Sequence, residues 1–217
     1  MNKIIRFFAV LITASLCISA VQAKGLSLRF LGTNVGMGLQ EALDMGGVDL
    51  DEDTNLTGDE VSALWANIAS CWAVPMVDPA HGITLGTGID CLYPMSGEPD
   101  SAGDGISLQA LSLFVFKSGT IVTLGFTSVR PFRDGGIGNK DTEVTHMTGS
   151  IPSDKSGVIG GTGAFAQKVG SARVSGAVDL SGFGSGYITF DCLWLIELEN
   201  ALPPGLSKAF GSKSPIR

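Results

Sequence analysis

The sequence predicts an all-β protein: an eight-stranded antiparallel up-and-down β-barrel with one short helix near its N-terminus. Two observations carry that reading. The chain is rich in glycine (30 residues) and poor in charge (16%), and short alternating apolar runs recur between turn signals along it. About eight such runs follow one another, the number that closes into a small barrel able to hold one small ligand.

In chain order, residues 1–23 read as a secretory leader. Lys3 and Arg6 form a basic start, Phe7 to Ile18 is apolar, and Val21-Gln22-Ala23 ends in small residues suited to cleavage. The apolar run is short of the roughly 20 residues a membrane span needs, so a secreted or periplasmic chain with no membrane span after cleavage is expected. Leu26–Leu31 is the first strand. Asp59–Ser70 places Val61, Leu64, Trp65 and Ile68 at helical spacing behind a Thr57/Glu60 capping box, which predicts one helix against the outside or one end of the barrel. Cys71–Val77 and Ile83–Met95 flank the turn Asp78-Pro79-Ala80-His81-Gly82, and Leu108–Lys117 and Thr120–Phe132 flank the hairpin signal Ser118-Gly119. Thr142–Ile151 follows a glycine-rich loop, then come Gly160-Gly161-Thr162-Gly163, Ser171–Leu180 and Gly186–Leu198. Residues 24–200 thus form one barrel domain that includes the acidic loop and helix 49–70. Residues 201–217, with Pro203-Pro204-Gly205, read as a flexible tail.

The whole chain carries a net charge of −7 and no basic stripe, which argues against nucleic acid and anionic lipid as partners. An apolar or aromatic small molecule is the expected ligand. The chain has no Gly-x-Ser-x-Gly turn, His-Glu-x-x-His motif, phosphate loop or Cys-x-x-Cys, and only two histidines. Hydrolytic, redox and catalytic-metal chemistry therefore lose their usual carriers, and no cofactor is expected for any chemistry. Leader removal leaves Cys71, Cys91 and Cys192. Cys71 and Cys91 lie symmetrically about His81 and could face one another across a hairpin as a disulfide; Cys192 paired with either, or three free thiols, are the alternatives.

Alternation sorts each strand into two faces. Ile83, Leu85, Ile89, Cys91, Tyr93 and Met95 share one. Val122, Leu124, Phe126, Ser128, Arg130 and Phe132 share another, and Ile188, Phe190, Cys192, Trp194, Ile196 and Leu198 a third. If these faces point inward, Tyr93, Phe126, Arg130 and Trp194 bind the ligand, Arg130 as a fork of donors for an anion or carbonyl and Tyr93 as a hydrogen-bonding group. His146 is a candidate acid–base group or a structural one. The chain also repeats a tetrad, Asp90-Cys91-Leu92-Tyr93 and Asp191-Cys192-Leu193-Trp194. In both, the Cys and the aromatic share a face and the Asp points the other way.

Before the helix, Asp49, Asp51, Asp53, Asn55 and Glu60 match positions 1, 3, 5, 7 and 12 of an EF-hand loop. Thr54 stands where that loop needs Gly, and Gly46-Gly47 interrupts an entering helix. Structural Ca2+ is one expectation here. The other is a solvated acidic turn whose carboxylates favour the positive end of the helix.

Val158-Ile159-Gly160-Gly161-Thr162-Gly163-Ala164-Phe165, preceded by Thr148-Gly149-Ser150-Ile151-Pro152 and followed by Gly170-Ser171-Ala172-Arg173-Val174-Ser175-Gly176, resembles the later hairpins of the allene oxide cyclase and dirigent-like barrels, particularly their bacterial secreted members. The likeness spans roughly Thr142 to Leu198 and rests on turn glycines and core positions. It implies an eight-stranded antiparallel barrel with a central apolar cavity. It also implies cofactor-free cyclisation or steered coupling of a confined substrate, and a homo-oligomer such as a trimer or dimer. None of the family's catalytic acids or tyrosines maps onto this chain, so no catalytic residue is assigned. A lipocalin-like carrier and a calcium-stabilised structural or interaction barrel are the alternatives.

Overall fold

The computed structural model describes residues 24–99, 105–131, 145–150 and 157–200. The expected leader and tail lie outside them. The strands are β1 (Lys24–Val35), β2 (Ser70–Val77), β3 (Thr84–Pro99), β4 (Ile106–Phe116), β5 (Gly119–Pro131), β6 (His146–Ser150), β7 (Gly157–Gly161), β8 (Lys168–Asp179) and β9 (Tyr187–Asn200). All pairings are antiparallel. β6 and β7 lie end to end between β5 and β8, each pairing with both, and β1 joins β2 to β9. Nine strands therefore make eight staves of a closed barrel, as the spacing of apolar runs predicts.

Three helices precede β2 where the sequence suggests one: α1 (Leu39–Gly46), α2 (Leu50–Asp53) and α3 (Gly58–Asn67). α1 ends at Gly47, whose φ of 60° is left-handed and whose N–H reaches the carbonyls of Asp44 and Leu43. The Gly46-Gly47 pair, expected to interrupt an entering helix, is thus its stop signal. Leu39, Ala42 and Leu43 of α1, Leu50 of α2, and Val61 and Leu64 of α3 pack with Cys71, Ala73, Ile89, Cys91, Leu111, Leu113 and Val122. This second core lies on the outer face of β2–β5. It encloses the Cys71–Cys91 disulfide, whose cysteines are directly opposed in the β2–β3 register.

The Gly-Gly-Thr-Gly segment is a latch between the barrel wall and the acidic loop. The Thr162 N–H donates to the Thr120 carbonyl and the Ala164 N–H to that of Ser118, while the Asn55 N–H donates to Ile159. Gly160 (φ 158°) bridges Thr54, and a Cβ there would come within 2.0 Å of the Asp53 carbonyl oxygen. Only glycine allows that approach. The uncovered outer face of β1 and β9 carries the bidentate Arg29–Asp191 pair, both contacts at 2.7 Å, and exposed Leu31, Leu193 and Leu195. No helix among the described residues is long and apolar enough to cross a membrane.

Candidate functional site

The lumen is filled at one end and hollow at the other. Met76, Phe114, Ile121, Val158, Ala172, Ile196 and Leu198 pack the closed end, with Phe116 and Phe165 against them. Phe30, Phe114 and Trp194 form an aromatic floor, with ring centroids 5.0 to 5.5 Å apart and the Phe114–Trp194 pair edge-on. Gly88 makes room for it, since a Cβ there would strike the Phe30 ring at 2.1 Å. Above the floor lies a cavity of about 320 Å³, within the range of small-molecule sites. Its wall is overwhelmingly apolar, with Leu92, Leu108, Val129, Val178, Ile188 and Phe190 contributing. At the rim, the Trp72 indole N–H donates to the Gly186 carbonyl at 2.9 Å and Phe183 packs on the same ring.

Asp90 breaks the apolar lining. It stands on the lumen face of β3, opposite Trp72 on one side and Ser112 on the other, and is only 9% exposed. The Ser112 hydroxyl donates to Asp90 Oδ1 at 2.6 Å. Among the described residues the carboxyl has no other hydrogen-bond donor, which leaves Oδ2 to the cavity. Burial pushes the Asp90 carboxyl up to about 6, against the opposing pull of Ser112. No Lys, Arg or His lines the cavity among the described residues.

Cys192 is the other titratable group among the described lining residues. Its thiol donates weakly to the Ala177 carbonyl at 3.6 Å, and burial, aided by the nearby Asp90 charge, pushes it up to about 12. It is a protonated, inert thiol. Trp194 Nε1 is buried with no hydrogen-bond partner among the described residues. A second void of about 20 Å³, the size of one water, lies between Ser112, Thr123, Thr127 and Trp194.

Of the four ligand-binding residues expected from sequence, Trp194 lines the cavity. Tyr93 does not: on β3 the lumen positions are Asp90 and Leu92, so Tyr93 follows Ile89 and Cys91 on the other face. Arg130 alternates with Val129, which lines the cavity, and pairs with Met147, which is exposed. Phe126 has the outward parity of Val122 and Leu124 and borders the small void. The physical reason is the helical cover. With α1–α3 on their outer side, β3 and β5 are apolar on both faces, and alternation cannot tell inside from outside. Asp90 lies on the face of β3 opposite Cys91 and Tyr93, the pair whose face alternation alone assigns to the lumen. The signal available was the repeated tetrad, because the two Asp residues need not share a fate.

His146 has lumen parity, opposite Val178. Its Nδ1 lies 2.7 Å from the Thr145 hydroxyl, and burial holds the ring below its ordinary value against the pull of Asp179. The acidic loop is organised by its own hydrogen bonds. Asp49 Oδ1 accepts from the Asp51 N–H and caps α2, and Asp53 Oδ2 accepts from the Asp49 N–H. Glu60 accepts from the backbone N–H and hydroxyl of Thr57, which hold its carboxyl below the usual range. Among the described residues no three His, Cys, Asp or Glu side chains gather as a metal-ligand group. The five expected calcium ligands are therefore not gathered as one group in this arrangement.

No protein-family model matches this chain, and no curated protein is detectably similar to it.

Proposed function

We propose that the barrel binds an apolar small molecule in the hollow half of its lumen, with the Phe30–Phe114–Trp194 floor as its stop and Asp90 as its polar contact. The observation that carries this reading is the cavity of about 320 Å³ with one carboxyl in an apolar wall. A cavity of that size costs a protein stability in proportion to its volume, and a buried, half-satisfied carboxyl costs more. Both features make sense in a site that a ligand completes. The resemblance to the allene oxide cyclase and dirigent-like barrels agrees with it, and the leader-like residues 1–23 together with the Cys71–Cys91 disulfide support action outside the cytoplasm.

A second reading builds on the first. A carboxyl held near 6 exchanges its proton readily at neutral pH, so Asp90 is the residue on which a cofactor-free cyclisation or isomerisation of the bound molecule would turn. Carrier and catalyst differ in turnover, and share the binding step.

The test is fluorescence of the neutral probe N-phenyl-1-naphthylamine with the oxidised protein, alongside mass spectrometry of any co-purified molecule. Saturable probe enhancement that is abolished by the lumen-filling changes Ala110→Phe and Leu92→Trp supports the lumen site. Enhancement that survives in both folded variants assigns the probe to the outer surface and overturns the proposal. Conversion of an identified ligand that stops with Asp90→Asn, binding retained, marks the catalyst.

A further inference from the structure

We infer that the lumen is selective for cationic amphiphiles: its preferred occupant is an apolar molecule bearing one protonated amine, and a molecule of the same skeleton bearing a carboxylate is rejected. The inference rests on the lumen-binding reading above and adds the chemical class of the ligand's polar end.

The asymmetry of charge inside the cavity is the basis. Asp90 is the carboxyl of the wall, and none of the described lining residues is Lys, Arg or His. Among the described residues the nearby cations are turned elsewhere. Arg29 is bound bidentately to Asp191 on the outer surface, and Arg130 has outward parity, opposite exposed Met147. His146, the ring with lumen parity at the start of β6, is held below its ordinary value by burial, which disfavours its charged form. The Cys192 thiol is turned to the Ala177 carbonyl.

Among the described residues the carboxyl has one donor, Ser112, on Oδ1. The fold has already stripped Asp90 of most of its water, so a ligand meets a preorganised anion and bears only the cost of its own desolvation. In a low-dielectric cavity an ammonium contact is strongly attractive, and a second carboxylate would face like-charge repulsion with no cation among the described lining residues to offset it. A neutral hydroxyl falls between, since it can donate to Oδ2 without relieving the buried charge. The geometry thus ranks three head groups on one skeleton, with Asp90 as the charged group of the described lining that sets the order.

The experiment is displacement of N-phenyl-1-naphthylamine by octylamine, octanol and octanoate, at a pH of about 7.5 where the amine is protonated. We expect octylamine to compete at least about tenfold better than octanol and at least about a hundredfold better than octanoate, each tenfold step corresponding to 1.4 kcal/mol. In Asp90→Asn, which keeps the shape of the side chain and the Ser112 contact, the three should fall within about threefold of one another. Asp90→Leu serves as a second variant and should favour octanol over octylamine. Equal competition by all three in the unaltered protein, a preference for octanoate, or an amine preference that persists in both variants would each overturn the inference while leaving lumen binding intact. Failure of the probe to enter the lumen, read from the filling variants, overturns the binding reading itself.

Discussion

Replacing Asp90 by Asn should make the protein more stable at neutral pH, and the gain should vanish in acid. In the folded chain burial raises the carboxyl to about 6 from the ordinary 3.8, so the native state holds this proton more tightly than the unfolded state. For a raised carboxyl, stability is greatest below the unfolded value. It falls as pH rises through the window between 3.8 and about 6, and stays at its lower level above it. At 1.36 kcal/mol per pH unit the ionised group destabilises the empty barrel by about 3 kcal/mol. Asn cannot ionise and can still accept from the Ser112 hydroxyl, but its amide N–H groups lack partners in an apolar wall. The expected gain at pH about 7.5 is therefore about 1–3 kcal/mol, shrinking to within about 0.5 kcal/mol at pH about 4. Urea midpoints with the disulfide oxidised, at matched m-values, read this directly. Glu60 and Asp78, held low by hydrogen bonds from Thr57 and His81, and His146, held low by burial, are shifted groups outside the Asp90–Ser112 pair. They contribute equally to both proteins and cancel in the difference curve. A difference that is flat with pH, or an Asn variant less stable at neutral pH, would refute the assignment of Asp90 as a charge buried without sufficient compensation.

The Trp194 indole N–H has no partner among the described residues, so Trp194→Phe should cost less than about 1.5 kcal/mol, whereas Trp194→Ala, which removes the aromatic floor, should cost about 3–5 kcal/mol by chemical denaturation. Opening the Cys71–Cys91 bond, which spans a sequence separation of 20, with Cys71→Ala/Cys91→Ala should lower stability by about 3 kcal/mol on the chain-entropy account, visible as a lower Tm. Gly160→Ala must push the Asp53 carbonyl away; a loss of about 2 kcal/mol or more is expected, with faster hydrogen exchange at the Asn55 amide that bonds Ile159. Because the Asp49, Asp53 and Glu60 carboxylates are engaged in capping α2 and α3, added calcium should leave Tm unchanged; a rise in Tm that Asp49→Ala removes would restore the calcium loop.

The closed barrel was legible because turn chemistry and apolar alternation agree along most of its strands. β9 shows the signal at its cleanest: one face runs Ile188, Phe190, Cys192, Trp194, Ile196 and Leu198, all buried, against exposed Leu193, Leu195 and Glu197. The Cys71–Cys91 pairing was also readable, from cysteines placed symmetrically about a turn. What stayed hidden follows from α1. Eight residues with Gly at both ends carry too little periodicity to announce a helix, yet this helix and α3 bury the outer side of β2–β5. Once both faces of a strand are buried, Ile89 and Val122 look as internal as Ile188 does. The site residues read from those two strands, Tyr93, Phe126 and Arg130, were accordingly drawn from the outward face, and Trp194, on a strand with a solvated side, was drawn from the inward one.

The two Asp-Cys-Leu-aromatic tetrads show how little local sequence decides which way a strand faces. In β9, Cys192 and Trp194 look into the barrel and Asp191 meets Arg29 outside. In β3 the same pattern is inverted: Cys91 is outside beneath the helices, bonded to Cys71, and Asp90 is inside. A slip of one residue in β3 would exchange the two faces, burying Asp90 against Leu111 and Leu113 under the helices and carrying Cys91 into the lumen. The disulfide forbids that slip, because it fixes Cys91 opposite Cys71 on the outer face. Ser112 reinforces the same register from β4 by meeting Asp90 across the strand pair. The covalent bond on the outside of the wall and the carboxyl on its inside are thus consecutive residues of one strand, and the bond that stabilises the helical cover also determines that the lumen holds an acid.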